Sequence, residues 1–139
     1  VKPFQIKEVV LGFKEELQST RHTLVSVVTG VLIKDMREWV GNDVPVVRAM
    51  PNTAIAIQES MTCLSSHNTP QEQLDYVHDL FSQLGRVALI EEKLMDASTV
   101  LGACGIAFAL RYIRASIQGG IEIGFDAKTA TLIAAQTVN

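Results

Sequence analysis

Apolar residues recur at helical spacing from the start of the chain: Ile6, Val9, Val10, Phe13 and Leu17, separated by Lys7, Glu8, Lys14, Glu15 and Glu16. That spacing predicts a surface helix. Residues 23–28 read Thr-Leu-Val-Ser-Val-Val and stop at Thr29-Gly30, a short β-branched run of the kind buried in a parallel sheet. A second helix follows, with Ile33, Met36, Trp39 and Val40 on one side and Gly41-Asn42-Asp43 as its end. Residues 44–50 return as a strand, with Pro45 near the start, where a missing N–H does least harm. Residues 55–64 are compatible with another extended segment. The strongest helix signal starts at Thr69 as N-cap and Pro70 at N1, with Glu72 completing a capping box. Leu74, Val77, Phe81 and Leu84 form its stripe, and Gly85 stops it. Residues 86–90 supply a further strand.

Beyond Glu91 the strand signals vanish, and three apolar helical stretches follow at about 92–103, 105–118 and 126–138, the last after Asp126 as N-cap. The pattern divides the chain into an α/β part, 1–91, and an all-helical part, 92–139. Residues 105–118 are apolar nearly all round (Ile106, Phe108, Leu110, Tyr112, Ile113, Ile117). A helix without a polar face needs cover on every side, so a second copy or further chain is expected against it.

A hydrophobic content of 47% in 139 residues supports a folded core and argues against disorder. Twelve Lys and Arg against fifteen Asp and Glu, scattered along the chain, leave no basic stripe for a phosphate backbone. The strongly apolar, charge-free stretch 97–110 is shorter than the roughly 20 residues a bilayer demands. A soluble, cytoplasmic protein with no nucleic-acid or membrane partner is therefore expected. The start, Val1-Lys2-Pro3-Phe4, shows no signal-peptide pattern. Cys63 and Cys104 lie far apart without ligand spacing to His22, His67 or His78, so no metal is expected.

Alternating helices and apolar strands imply a doubly wound parallel sheet, whose ligands bind at the carboxyl ends of its strands. At those ends and just beyond stand Val1-Lys2-Pro3, Thr29-Gly30-Val31, Val46-Val47-Arg48-Ala49-Met50-Pro51-Asn52-Thr53, Glu91-Glu92-Lys93-Leu94-Met95-Asp96-Ala97 and Gly119-Gly120-Ile121-Glu122-Ile123-Gly124. In order and spacing these resemble the pyrroline-5-carboxylate reductases along the whole chain. The resemblance implies the C-terminal part of a Rossmann-like doubly wound sheet followed by an all-helical dimerisation domain. It implies NADPH or NADH as cofactor, proline biosynthesis as the role and a homodimer or higher homo-oligomer through the helices. The family's G-x-G-x-x-G turn, with the first βαβ of the cofactor domain, would lie upstream of Val1, and its C-terminal Gly-rich loop beyond Asn139. The segment as it stands is accordingly expected to be inactive.

By the same resemblance, Val1, Lys2 and Pro3 belong to the cofactor site, Lys2 and Pro3 on the ribose side, while Met50, Pro51 and Asn52 face the nicotinamide. The family's Ser-Gly-Ser-Gly-Pro-Ala-Tyr turn, which holds the substrate carboxylate, reads Leu101-Gly102-Ala103-Cys104-Gly105-Ile106-Ala107-Phe108 here. Ala103, Cys104 and Gly105, with Arg111 one turn on, are its substrate-side candidates. Backbone donors survive those replacements and side-chain hydroxyls do not. Arg111 stands where a small or hydroxyl residue is usual, and a cation there would oppose an iminium unless it binds the carboxylate.

Cys104 among Ala, Gly and Ile reads as a small buried apolar group rather than a nucleophile, and no catalytic side chain is assigned. Glu91 and Glu92 read as an acidic pair favourable to the start of their own helix, ahead of a proton relay. Beside the leading expectation, reduction of 1-pyrroline-5-carboxylate to proline, stand two others. The altered turn suggests a related imine or keto-acid reductase, and the absent fingerprint a noncatalytic dimerising segment.

Overall fold

The computed structural model describes residues 1–41 and 43–138. Asn42, read above as part of a helix end, lies outside them, and so does Asn139. The chain forms two compact units, Val1–Ala103 and Cys104–Asn139.

In the first unit, α1 (Ile6–Phe13) precedes β1 (Leu24–Ser26), α2 (Ile33–Val40) and β2 (Val46–Met50). Then come β3 (Ser60–Ser66), α3 (Gln71–Ser82) and β4 (Gly85–Leu89). The sheet order is β1-β2-β3-β4. β1 and β2 run parallel, as do β3 and β4, but β2 and β3 are antiparallel, with Arg48 opposite Ser65 and Met50 opposite Cys63. The wholly parallel sheet expected from the alternation of elements is thus corrected to a mixed one. The reason lies in 51–59, which is too short to carry the chain back along a strand, a crossover that takes about a dozen residues or more. Those residues also correct the extended segment read at 55–64, because Thr53–Ile57 is a 3-10 helix closed by Gln58 in the left-handed region, and the strand begins only at Ser60.

Two apolar layers sandwich the sheet. Ile6 and Val10 of α1 and Ile33, Met36 and Val40 of α2 cover Val46, while Val77 and Phe81 of α3 cover Val47, Ala49 and Leu64 on the other face. All five residues of β2 are buried, as a central strand covered on both faces should be. The stripe read in α3 is correct, but its capping box does not form. Pro70 occupies the cap position without a side-chain bond, and the Thr69 hydroxyl instead donates to the Val46 carbonyl at 3.4 Å. Gly85 is obligatory where it stands: its φ is +138°, and a Cβ would run into the backbone of Ser60 on the neighbouring strand.

Beyond β4 no described residue to Val138 is in a strand, and all but Ile90, Glu91, Phe125 and Asp126 are helix or turn. A 3-10 turn, Glu92–Leu94, leads into α4 (Met95–Ser98) and a π-helical turn, Thr99–Ala103. The second unit pairs α5 (Gly105–Glu122) with α6 (Ala127–Thr137). They approach closely because Gly120 faces Ala130, where a Cβ on the glycine would stand 3.2 Å from the alanine methyl. Ala130 and Ala134 are buried there, whereas Phe108, Leu110, Tyr112 and Leu132 are more than half exposed. By length and composition the helical run Glu92–Glu122 is also apolar enough to cross a membrane, with a mean hydropathy of 1.4 in its window. Met95 and Ser98, in its first turns, are nonetheless buried.

Asp126 is the N-cap read from the sequence, its carboxylate accepting from the amides of Lys128 at 3.0 Å and Thr129 at 3.1 Å. Hydrogen bonds from Thr129, side chain first and amide second, hold its pKa below the ordinary value of 3.8. A depressed carboxylate stabilises the fold above its unfolded pKa and loses that contribution as pH falls through the folded value. Acidification below about pH 4 should therefore fray the first turn of α6, and Asp126→Asn should remove the pH dependence while keeping the cap. Amide chemical shifts of Lys128 and Thr129 across an acid titration read both effects. In the sheet, Gly85→Ala should cost on the order of 2–3 kcal/mol through backbone strain alone, measured as a lower denaturant midpoint.

Candidate functional site

β1 and β2 are parallel, so their carboxyl ends open on one edge, followed there by the loop 27–32 and by Met50-Pro51-Asn52. β3 and β4 run the opposite way, and their register sets Leu89, the last residue of β4, level with Leu64 and with Ala49 of β2. The Glu91–Ala97 motif therefore meets β2 from the 3-10 turn that opens at Glu92, directly after β4.

That route is visible in a buried ion pair. Arg48 is 1% exposed in the middle of β2, and its Nη1 donates to Glu92 Oε1 at 3.1 Å. The same carboxylate oxygen accepts the amide of Ile33, the first residue of α2, at 2.7 Å. Glu92 therefore serves the N-terminus of α2 and not chiefly its own helix, which corrects the role read from the acidic pair. Glu91 stays at the surface, paired with Lys93 at 2.6 Å. Asp96 Oδ1 stands 4.0 Å from Arg48 Nη2. Nε and Nη2 of Arg48 and Oγ of its cross-strand neighbour Ser65 have no hydrogen-bond partner among the described residues.

At the end of β2, Met50 is buried, and the Thr29 hydroxyl lies 3.9 Å from its sulfur. Pro51 and Asn52 are half-buried. Asn52 Oδ1 caps the following 3-10 helix through the Ala54 amide at 3.1 Å, and its Nδ2 reaches the Gly102 carbonyl at 3.5 Å. The π-helical turn explains that contact, because widening a helix by one residue disturbs its own hydrogen-bond register and turns carbonyls outward. Asn52 thus brings the strand-end turn and the turn at 99–103 together. Its side chain already has one acceptor and one donor engaged, so it presents to a ligand less than a free amide would.

The other candidates are placed more simply. Val1, Lys2 and Pro3 are exposed ahead of α1, with the Lys2 amide donating to Gln5 Oε1 at 2.9 Å, and no hydrogen bond or ion pair among the described residues joins them to 50–52. Ala103 ends the π-helical turn and Gly105 opens α5, while Cys104 between them is an exposed thiol, which corrects the buried group read from the sequence. One turn residue separates the two helical segments, and the Ala107 amide already donates to the Cys104 carbonyl at 2.9 Å. Arg111 is exposed on α5 and forms no ion pair among the described residues. His22 Nδ1 accepts from the Gln18 amide at 3.0 Å, and among the described residues no cluster of three His, Cys, Asp or Glu could hold a metal.

Arg48 and Glu92 were missed as a pair, though the signal was present. A cation inside the apolar run Val46-Val47-Arg48-Ala49-Met50 demands a carboxylate partner. Nothing in residue type marks the π-helical turn.

Residues 92–139 match the family described as pyrroline-5-carboxylate reductase dimerisation. Pyrroline-5-carboxylate reductase 1 of Dictyostelium discoideum is 44% identical over 99% of this chain and 27% of its own length. The second such reductase of that organism is 40% identical over 99% of the chain and 50% of its own length. The chain thus spans half or less of these relatives. Among solved structures, the Plasmodium falciparum pyrroline carboxylate reductase with NADP bound superposes with a TM-score of 0.91 at 29% identity, covering 99% of this chain and 55% of that one. The Coxiella burnetii reductase gives 0.91 at 28% identity, over 99% and 52%. A prephenate dehydrogenase of Aquifex aeolicus, at 17% identity and a TM-score of 0.54, shares the fold alone. Residues 92–139 thus carry the dimerisation domain of the pyrroline-5-carboxylate reductases, and along 99% of its length the chain is similar to reductases of that name.

Proposed function

We propose that the protein carrying this chain reduces 1-pyrroline-5-carboxylate to proline with NADPH or NADH. The observation that carries this is the similarity to proteins of that name over 99% of the chain. Residues 1–91 contribute to the cofactor domain and 92–139 to the helical, dimerising and substrate-side domain. Val1, Lys2, Pro3, Met50, Pro51 and Asn52 are the cofactor-side residues, and Ala103, Cys104, Gly105 and Arg111 the substrate-side ones.

The reaction requires no covalent nucleophile. When bound, the reduced nicotinamide supplies a hydride to the C=N carbon, and a proton completes the amine. The chain's own task is placement: Pro51 stiffens the strand-end turn, and Asn52 ties it to the turn at 99–103. At that turn the substrate carboxylate is held by backbone amides, because Ala103 and Cys104 bring no hydroxyl. The exposed apolar side chains of α5 and α6 support a homodimer formed through the helices. Such burial also accounts for the apolar run Glu92–Glu122 without a membrane, and with the scattered charge it favours a soluble cytoplasmic enzyme that does not bind nucleic acid.

A related imine or keto-acid substrate is the second reading, favoured by Arg111 and the altered turn at 101–108. The protein should oxidise NADPH or NADH in strict dependence on pyrroline-5-carboxylate, and absence of that dependence with both cofactors would overturn the main reading. If the exposed Arg111 side chain points away from the iminium, Arg111→Thr should leave turnover within about threefold of the parent. A rise in KM of roughly tenfold would instead identify a charge-assisted bond to the carboxylate. Light scattering at low micromolar concentration should show a dimer or larger, and a stable monomer would count against the role assigned to the helices.

A further inference from the structure

Glu92 accepts two donors on one oxygen, from groups far apart in the chain: the Ile33 amide at 2.7 Å and Arg48 Nη1 at 3.1 Å. α2 has no side-chain cap of its own, since Leu32 stands at its N-cap position. An uncapped helix start leaves its first amides without partners, and an acceptor there stabilises the turn and favours negative charge. The Glu92 carboxylate supplies that acceptor from the far side of the sheet order. Arg48 in turn holds the carboxylate, being 1% exposed and fixed in β2 between Ser26 and Ser65. The loop 27–32, which leads from β1 into α2, is thereby fastened at its far end to the same strand that ends in Met50-Pro51-Asn52.

We infer that Glu92, held by Arg48, is a positioning residue for the cofactor edge: it fixes the β1–α2 loop against the end of β2 through the Ile33 amide. This rests on the reductase reading for what the edge binds, and on the hydrogen bonds alone for the latch itself. One oxygen of the Glu92 carboxylate is taken up by two protein donors. Its influence should fall on how well the edge is formed for the cofactor, and little on the chemical step.

Removing one partner alone would leave a buried charge and confuse positioning with unfolding, so two double variants are compared in the protein that carries this chain. Arg48→Met with Glu92→Gln removes the charge pair but keeps an oxygen for the Ile33 amide. Arg48→Met with Glu92→Ala removes the pair and the acceptor together. Relative to the first, the second should raise the KM for the reduced cofactor about fivefold, the change that a typical N-cap contribution corresponds to. Its kcat should stay within about twofold. Equal cofactor KM in the two doubles, or a loss confined to kcat, would overturn the inference. Amide hydrogen exchange at Ile33 in the unsubstituted protein decides the latch even if the doubles fail to fold: strong protection is expected, and exchange at the rate of an open loop would overturn it. A parent protein that never oxidises NADPH or NADH with the substrate would sink the reductase reading, while the exchange measurement would still decide the latch.

Discussion

A full positive charge sits in the middle of a strand that is buried from end to end, and the arrangement of the first unit follows from the need to neutralise it. Arg48 cannot reach solvent from β2, and an ion left alone there would cost several kcal/mol. Glu92 meets that need because β4 ends level with Ala49, so that the turn opening at Glu92 comes up to Arg48. The same carboxylate then completes the start of α2. One oxygen thus ties together β2, a helix start and the first helical residues beyond the sheet. Ser26 and Ser65, which flank Arg48 on the neighbouring strands, keep that row polar inside a layer otherwise built from Val, Ile and Met.

Local periodicity made most elements legible. Ile33, Met36 and Val40 were read as one helical face and are buried together, Val77 and Phe81 cover the sheet as their stripe required, and Asp126 caps α6 through two amides. What local pattern could not give was direction. Neither β2 nor β3 carries its direction in its own residues, and the shortness of 51–59, with its 3-10 helix and the left-handed Gln58, makes them antiparallel. The cap at Thr69 failed for a related reason, because its hydroxyl found a carbonyl on β2, a competitor far off in sequence. Local signals held where the competing partner was also local.

The site residues were legible by motif and not by chemistry. Met-Pro-Asn-Thr marks a strand end, but that Asn52 bonds inward to Ala54 and Gly102 depends on a π-helical turn with no signature in residue type. The Gly-Gly-x-x-x-Gly segment proves to be a packing device, since Gly120 lets Ala130 close on the α5 backbone. Small residues suffice for that contact, and they leave the large apolar side chains free to point elsewhere.

That division between small and large residues bears on how the helical unit can exist at all. α5 and α6 bury mainly alanine against glycine, and alanine and glycine remove little apolar surface from water. Their pairing is therefore too weak to account for Phe108, Leu110, Tyr112, Leu132 and Ile133 standing in solvent. A two-helix unit of this kind gains most of its stability from whatever covers those side chains, so its folding and its association are one process. Substitutions at Gly120 would then act on assembly as much as on fold, because a displaced α6 moves Leu132 and Ile133 with it. In the first unit, by contrast, both apolar layers pack on the sheet within the chain, and Arg48 finds its carboxylate there.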